Sequence, residues 1–247
     1  MVLSRSTVPA LCELMAKLFA ETASLGPDPY IENHGRPESI KHHVDVFSWY
    51  APLLRPGQVV LDWGCHYGPD SCLIRHVWGD AVQVHACDVW EETAFPVFRK
   101  FARPVYAKLT DPVQVPYADG MFDVVIASGV LEHVPMDYES LKQLYRVLKP
   151  EGLLVITYLP YFLSWSEWYR RVIRQTAYHQ RLYRKNELAQ LMKRTGFLPL
   201  EIRPHTHIPN SGHRSLWRTL RRVVAKLVSP PFRHSTLCCT ARKVLSM

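Results

Sequence analysis

The sequence has no run of about eighteen uncharged apolar residues, and its N-terminal apolar segment is interrupted by Glu13 and Lys17. Neither a membrane-spanning helix nor a secretory signal is expected, and the chain reads as cytoplasmic. It also lacks a Cys-x-x-Cys pair. Cys12, Cys65, Cys72, Cys87, Cys238 and Cys239 lie at other spacings, several in candidate core segments, which suits a reducing compartment and gives no disulfide framework and no zinc-ligand pattern. No metal site is expected. Acidic residues are scarce in one third of the chain: residues 1 to 160 hold 13 Lys/Arg and 19 Asp/Glu, whereas residues 161 to 247 hold 17 and 3. This asymmetry fits contact with an anionic membrane, nucleic acid or substrate, or else a solvated basic face. For 247 residues one core is the simplest reading.

What is present begins with Val59-Val60-Leu61-Asp62-Trp63-Gly64-Cys65-His66-Tyr67-Gly68, an apolar strand that ends in an acidic residue and breaks into a glycine-bearing loop. A parallel strand buried on both faces is a near-continuous apolar run, and a turn that passes close to a ligand favours glycine. Asp88 follows Asp62 by 26 positions and ends a second apolar run, Ala81 to Cys87. That spacing fits one βαβ unit whose second strand offers a carboxylate to a ribose diol. His66 stands where a middle glycine is usual.

Further along come Asp111-Pro112-Val113-Gln114-Val115-Pro116-Tyr117, Asp119-Gly120-Met121-Phe122-Asp123-Val124-Val125-Ile126-Ala127-Ser128, Leu131-Glu132-His133-Val134 and Leu148-Lys149-Pro150-Glu151-Gly152. Together these motifs resemble the class I S-adenosylmethionine-dependent methyltransferases, in particular the small-molecule branch typified by quinone, sugar and lipid methyltransferases. The likeness is specific from Val59 to about Leu159 and looser from Tyr178 to Phe197.

The resemblance implies S-adenosylmethionine as cofactor. Gly64 and Gly68, with Cys65 between them, would pass beneath it, and amides at the start of the next helix would face its methionine carboxylate. Asp62 would balance the ammonium, Asp88 would accept both ribose hydroxyls, and Val89 and Ser128 would complete the site. Asp111 matches the acidic residue directed at the adenine amino group, although Pro112 lacks the neighbouring amide. His66 either crowds the cofactor or reaches toward substrate.

The sulfonium methyl is already activated, so catalysis requires an aligned nucleophile and a proton acceptor. His133, at the exit of the Phe122 to Ala127 strand, is the candidate catalytic base; the other reading is that Glu132-His133 organises the loop. His34, His42, His43, His179, His205, His207 and His213 are rivals that the sequence does not rank.

Periodicity predicts helices over Thr7 to Ala23 and Ser39 to Leu54, separated by the breaker Gly26-Pro27-Asp28-Pro29. Strands and helices then alternate: strand Val59 to Leu61, helix Asp70 to Val77, strand Ala81 to Cys87, helix Glu91 to Ala102, strand Val105 to Leu109, strand Phe122 to Ala127, helix Tyr138 to Leu148, strand Leu153 to Leu159. Helices over Phe162 to Arg174 and Lys185 to Thr195 follow, then strands over Phe197 to Arg203 and Thr236 to Val244. The expected fold is α/β, a Rossmann-like seven-stranded, mostly parallel sheet with helices on both faces. Residues 1–58 would form an N-terminal helical cap on a methyltransferase domain spanning 59–247. Within it, 160–195 would be a lid and substrate region and 205–234 a basic amphipathic insertion before the last strand.

In that insertion Leu216, Trp217, Leu220, Val223, Val224 and Leu227 share one helical arc, and Arg214, Arg218, Arg221, Arg222 and Lys226 share the other. The pattern is that of an interfacial helix on an anionic membrane, or of a helix packed on its own domain. Phe162, Trp165, Trp168 and Tyr169 would hang over the active-site mouth, lining an acceptor pocket or packing the lid. The function expected is methyl transfer to an oxygen or carbon of a small or amphiphilic acceptor, such as a lipid, quinone or lipid-linked sugar, by a cytoplasmic enzyme peripheral to the membrane. One alternative is a nucleic-acid methylase docking through the basic third. The chain has no Pro-Cys, as pyrimidine carbon methylases have, and has Ser128-Gly129-Val130 where base amino-group methylases carry Asp or Asn before two prolines. The other alternative is a non-catalytic cofactor-binding protein.

Overall fold

The computed structural model describes residues 7–173, 175, 179, 181–205 and 235–244. Three helices lead into the sheet: α1 (Thr7–Ala23), α2 (Pro29–His34) and α3 (Pro37–Tyr50). The breaker between the two expected helices contains α2. Asp28 Oδ1 accepts the amides of Tyr30 at 2.7 Å and Ile31 at 3.1 Å, and Pro29 occupies the first turn, so the segment that stops α1 also starts a helix.

The alternating part runs β1 (Val59–Trp63), α4 (Pro69–Trp78), β2 (Gln83–Asp88), α5 (Pro96–Ala102), β3 (Val105–Lys108), β4 (Phe122–Ser128), α6 (Asp137–Val147) and β5 (Leu148–Pro160). The helix expected from Glu91 begins only at Pro96. Proline disfavours helical backbone at the residue before it, and Phe95 sits at φ −129°, ψ 67°. The turn expected at Lys149 to Gly152 lies within β5. Leu148 pairs with Phe122, Glu151 takes φ +62°, and pairing resumes at Leu153 opposite Val124, so an irregular strand replaces a turn.

The expected helix over Phe162 to Arg174 is a single turn, α7 (Trp165–Trp168), capped by Ser164 and continued by a π-turn over Tyr169–Ile173. Then come α8 (Lys185–Arg194), β6 (Phe197–His205) and β7 (Thr236–Lys243). The proposed insertion with its arc from Leu216 to Leu227 lies outside the described residues.

The strand order is β3-β2-β1-β4-β5-β7-β6. The first five strands are parallel, and β7 runs antiparallel between β5 and β6. This is the expected seven-stranded, mostly parallel α/β sheet. Side chains alternate across it. Val60, Val84, Val124, Ile126 and Val155 point into one apolar cluster with Leu11, Met15, Val44, Phe47, Leu73 and Phe98 of α1, α3, α4 and α5. Leu61, Trp63, Val125, Leu154 and Ile156 point into the other, with Leu141 and Leu144 of α6 and Leu188 and Met192 of α8. The N-terminal helices thus share a core with the sheet. Strand order reverses between β1 and β4, and the carboxyl ends of those strands open a crevice where α/β sheets bind ligands.

Candidate functional site

The crevice is shaped by how the chain leaves β1. Gly64 has φ +67°, and a Cβ there would lie 2.6 Å from both methyls of Val130, so the β1 and β4 loops approach at a distance only glycine permits. The amides of Gly64 and Cys65 donate to the Cys87 carbonyl at 2.8 and 3.2 Å, which ties the loop to β2. Gly68, at φ +84°, turns the chain into α4.

His66 takes the left-handed conformation (φ +47°) that its expected glycine would adopt freely. Its amide donates to Asp88 Oδ2 at 2.6 Å. Its ring sits 4.6 Å from Tyr30 and 4.8 Å from both Tyr67 and Phe95, and burial lowers its pKa. The imidazole therefore belongs to an aromatic cluster beside the loop.

Asp88 closes β2, nearly buried. Oδ1 accepts the amides of Val89 at 2.7 Å and Trp90 at 3.4 Å, and Oδ2 accepts that of His66. These amides fix the carboxylate and leave each oxygen with further acceptor capacity. Val89 and Trp90 are exposed at the rim. Asp62, fully buried on β1, accepts Ser71 Oγ at 2.6 Å and Ser71 N at 3.3 Å. Burial, then the charge of Asp70, raises its pKa.

Asp111, on the turn after β3, is fully exposed. Its Oδ1 accepts the amides of Gln114 at 3.0 Å and Val113 at 2.7 Å, and these bonds hold its carboxyl below the usual range. Ser128, at the end of β4, shares a hydrogen bond of 2.7 Å with Thr157. The crevice thus gathers Asp62, Gly64, Cys65, Gly68, Asp88 and Ser128, with Val89 at its rim, whereas Asp111 caps its own turn.

Two features were not read from the sequence. Arg99 of α5, buried beneath the loop, donates to Cys65 Sγ at 3.2 Å and to the His66 carbonyl at 3.1 Å while lying 4.1 Å from the Tyr106 ring. On the other side Tyr158, at φ +61° in a β5 irregularity, hydrogen-bonds His43 Nδ1 at 3.2 Å. His43 Nε2 lies 3.4 Å from Asp70, which also accepts from Tyr50. Burial alone would raise the Asp70 pKa, but His43, Tyr50 and Ser128 together lower it. Only the fold brings these residues together, so no spacing could announce them.

Past β4, Glu132 and His133 lie on the turn. Glu132 is buried, and burial pushes its carboxyl up to about 8. His133 is 47% exposed at its side chain, with Nε2 3.9 Å from Glu132 Oε1. Burial and then His179 lower its pKa. Arg181 donates to the carbonyls of Leu131, Val134 and Pro135, and Tyr183 donates to that of Leu131, tying the lid to this turn. Two open depressions, of about 590 and 410 Å³, border the opposite ends of the strands around Arg146 and Lys149.

Comparison with known proteins decides the family, because residues 32–202 match the model of a methyltransferase domain. The chain belongs to that family. The class I S-adenosylmethionine-dependent resemblance is borne out at the level of family and fold. Phosphoethanolamine N-methyltransferase 2 of Caenorhabditis elegans is 28% identical over 152 residues, 60% of this chain and 34% of that protein. A ubiquinone/menaquinone biosynthesis C-methyltransferase of Haemophilus ducreyi is 33% identical over 109 residues, 42% of each. The chain thus spans a third to two fifths of the length of these relatives. Among solved structures, phosphoethanolamine N-methyltransferase 2 of Haemonchus contortus, in complex with S-adenosyl-L-methionine, superposes with TM-score 0.60 at 19% identity, covering 82% of this chain and 52% of that one. Among the described residues no helix is long and apolar enough to cross a membrane.

Proposed function

We propose that the protein is an S-adenosylmethionine-dependent methyltransferase acting on an oxygen or carbon of a small or amphiphilic acceptor presented at an anionic lipid surface. The observation that carries the reading is the convergence of the Gly64 to Gly68 loop and the amide-fixed Asp88 carboxylate where strand order reverses. The donor set fits the cofactor. Asp88 keeps acceptor capacity for a ribose diol, and Asp62 is a buried carboxyl suited to an ammonium. Val89 and Trp90 would flank the adenine, with Asp111 reaching its amino group from the neighbouring turn.

When bound, the cofactor supplies an electrophilic methyl on a sulfonium. This chain's residues then orient the acceptor and exclude water. His133 would stand on the acceptor side, where an imidazole can serve acceptor chemistry.

The acceptor class is drawn from the lid. Phe162, Trp165, Trp168, Val172 and Ile173 are exposed beside Arg170 and Arg171, an apolar and cationic surface next to the crevice. The stacked pair Trp165 and Trp168, 4.7 Å apart, would offer a flat apolar face to an alkyl or ring-bearing acceptor. The relatives act, by their names, on phosphoethanolamine and in quinone biosynthesis, both outside nucleic acid.

The test is transfer of a labelled methyl to lipid extracts, quinones, lipid-linked glycans and RNA, with anionic and neutral vesicles. Label in an organic-extractable acceptor, enhanced by anionic vesicles, is the expected result. Label in RNA alone overturns the acceptor class, and no label in any pool despite cofactor binding overturns the enzymatic reading.

A further inference from the structure

Among the described residues, one cluster brings three potential metal ligands together away from the cofactor loop. A carboxylate oxygen of Glu132 and one ring nitrogen each of His133 and His179 lie within 4.8 Å of one another. We propose that Glu132, His133 and His179 bind a divalent first-row transition metal ion, zinc by preference, on the acceptor side of the crevice. The binding claim stands on this cluster alone; the claim that the ion receives an acceptor oxygen rests on the methyltransferase reading above.

Four observations support the site. First, Glu132 is 4% exposed and its Oε2 has no hydrogen-bond partner. A buried acceptor left unmade is costly, and a bound cation would satisfy it. The nearby guanidinium groups are engaged elsewhere: Arg170 pairs with Glu167 at 2.8 Å and Arg171 donates to the His179 carbonyl.

Second, His179 already has the partner that a ligating imidazole needs. Its Nδ1 lies 3.1 Å from Glu167 Oε1, so a bond to an ion would fall to Nε2. Glu167 is buried and held by Ser164 and Arg170. A carboxylate that orients the far nitrogen of a ligating histidine is a recurrent outer-shell device.

Third, two imidazoles and one carboxylate suit zinc, and three protein ligands leave a position open for substrate. Ligands about 2.1 Å from a tetrahedral ion lie roughly 3.4 Å apart. The separations here must therefore close, and the exposed His133 ring has room to move.

Fourth, the ligands come from two segments already tied together. Glu132 and His133 sit on the β4 turn and His179 on the lid, whose Arg181 and Tyr183 hold the carbonyls of that turn. An ion here would fasten the lid over the methyl-transfer crevice. His133 then acts as a ligand and not as the base that the sequence suggested. An acceptor hydroxyl drawn to the ion gives up its proton to water more readily. Its oxygen forms a bond to the methyl carbon while the carbon–sulfur bond breaks, and that electron pair stays on sulfur as a neutral thioether.

The experiment titrates the metal-free full-length chain with Co²⁺, followed by visible absorption, and with Zn²⁺, followed by calorimetry. One equivalent per chain is expected. His133→Ala and His179→Ala should each weaken binding at least a hundredfold, and Glu167→Gln by about ten- to a hundredfold as an outer-shell change. Because His133 is exposed, its variant keeps the test informative if Glu132→Gln fails to fold. Absence of stoichiometric binding, or binding that survives both histidine variants, overturns the site. S-adenosylmethionine is titrated in parallel. Cofactor binding without metal binding removes only this proposal, whereas metal binding without cofactor binding removes the methyltransferase reading and leaves the ion site standing.

Discussion

The two sides of the crevice are built differently. On the cofactor side, backbone groups do most of the positioning: amides of Gly64, Cys65, His66 and Val89 lock the loop to β2 and to the Asp88 carboxylate. On the acceptor side, side chains from distant segments meet: Glu132 and His133 after β4, Glu167 and His179 from the lid, and His43 with Tyr158 across α3 and β5. Backbone locking tolerates few substitutions and serves one ligand. Side-chain assembly can be re-specified residue by residue while the sheet stays the same, which fits relatives named for a phosphoethanolamine and for quinone biosynthesis.

The contrast can be broken most severely at Gly64. Gly64→Ala adds strain at positive φ and a Cβ against Val130, together about 3 kcal/mol of lost stability by denaturant unfolding. Val130→Ala in the same chain should recover the contact part, about 1 to 2 kcal/mol. Arg99→Met comes next. It removes two hydrogen bonds from a buried cation and should cost about 2 kcal/mol. It should also weaken S-adenosylmethionine binding, since the loop that it holds is the proposed cradle.

A smaller effect sharpens the comparison through pH. The raised pKa of Asp62 means that the folded protein holds a proton there above the ordinary carboxylate range, and stability contributed by that proton is lost as pH rises through the window. An ammonium placed beside Asp62 would favour the ionised form, so cofactor binding should release the proton. Affinity should therefore rise with pH toward tenfold per unit below the raised pKa, then level off. Asp62→Asn should flatten that slope in titrations across pH. The smallest effect is expected on the acceptor side. Trp168→Ala should raise the acceptor KM about three- to tenfold and leave cofactor affinity unchanged, a split readable from steady-state kinetics.

The same contrast explains what the sequence disclosed. Sheet strands β1, β2 and β4 and the full extent of α1 followed from apolar patterning, because burial on both faces or on one helical stripe leaves a local signature. The crevice residues Asp62, Gly64, Gly68 and Asp88 were legible because a βαβ unit fixes their spacing. Helix α2 was hidden because its capping residues, Asp28 and Pro29, also read as a breaker. Arg99 and the pairing of Glu167 with His179 left no trace, since their partners are chosen by tertiary packing. His133 was found by its place after β4, while its neighbour His179 was one histidine among several until the fold brought its segment beside that turn.

The most direct test of the central claim, that the backbone-locked side alone holds the cofactor, is a calorimetric titration of S-adenosylmethionine into the wild-type protein, Asp88→Ala and His133→Ala. Asp88 would accept two hydroxyls with its charge, so its removal should weaken binding about a hundredfold or more, and His133→Ala should stay within about threefold of wild type. Equal affinity for wild type and Asp88→Ala, or an equal loss in both variants, would contradict it.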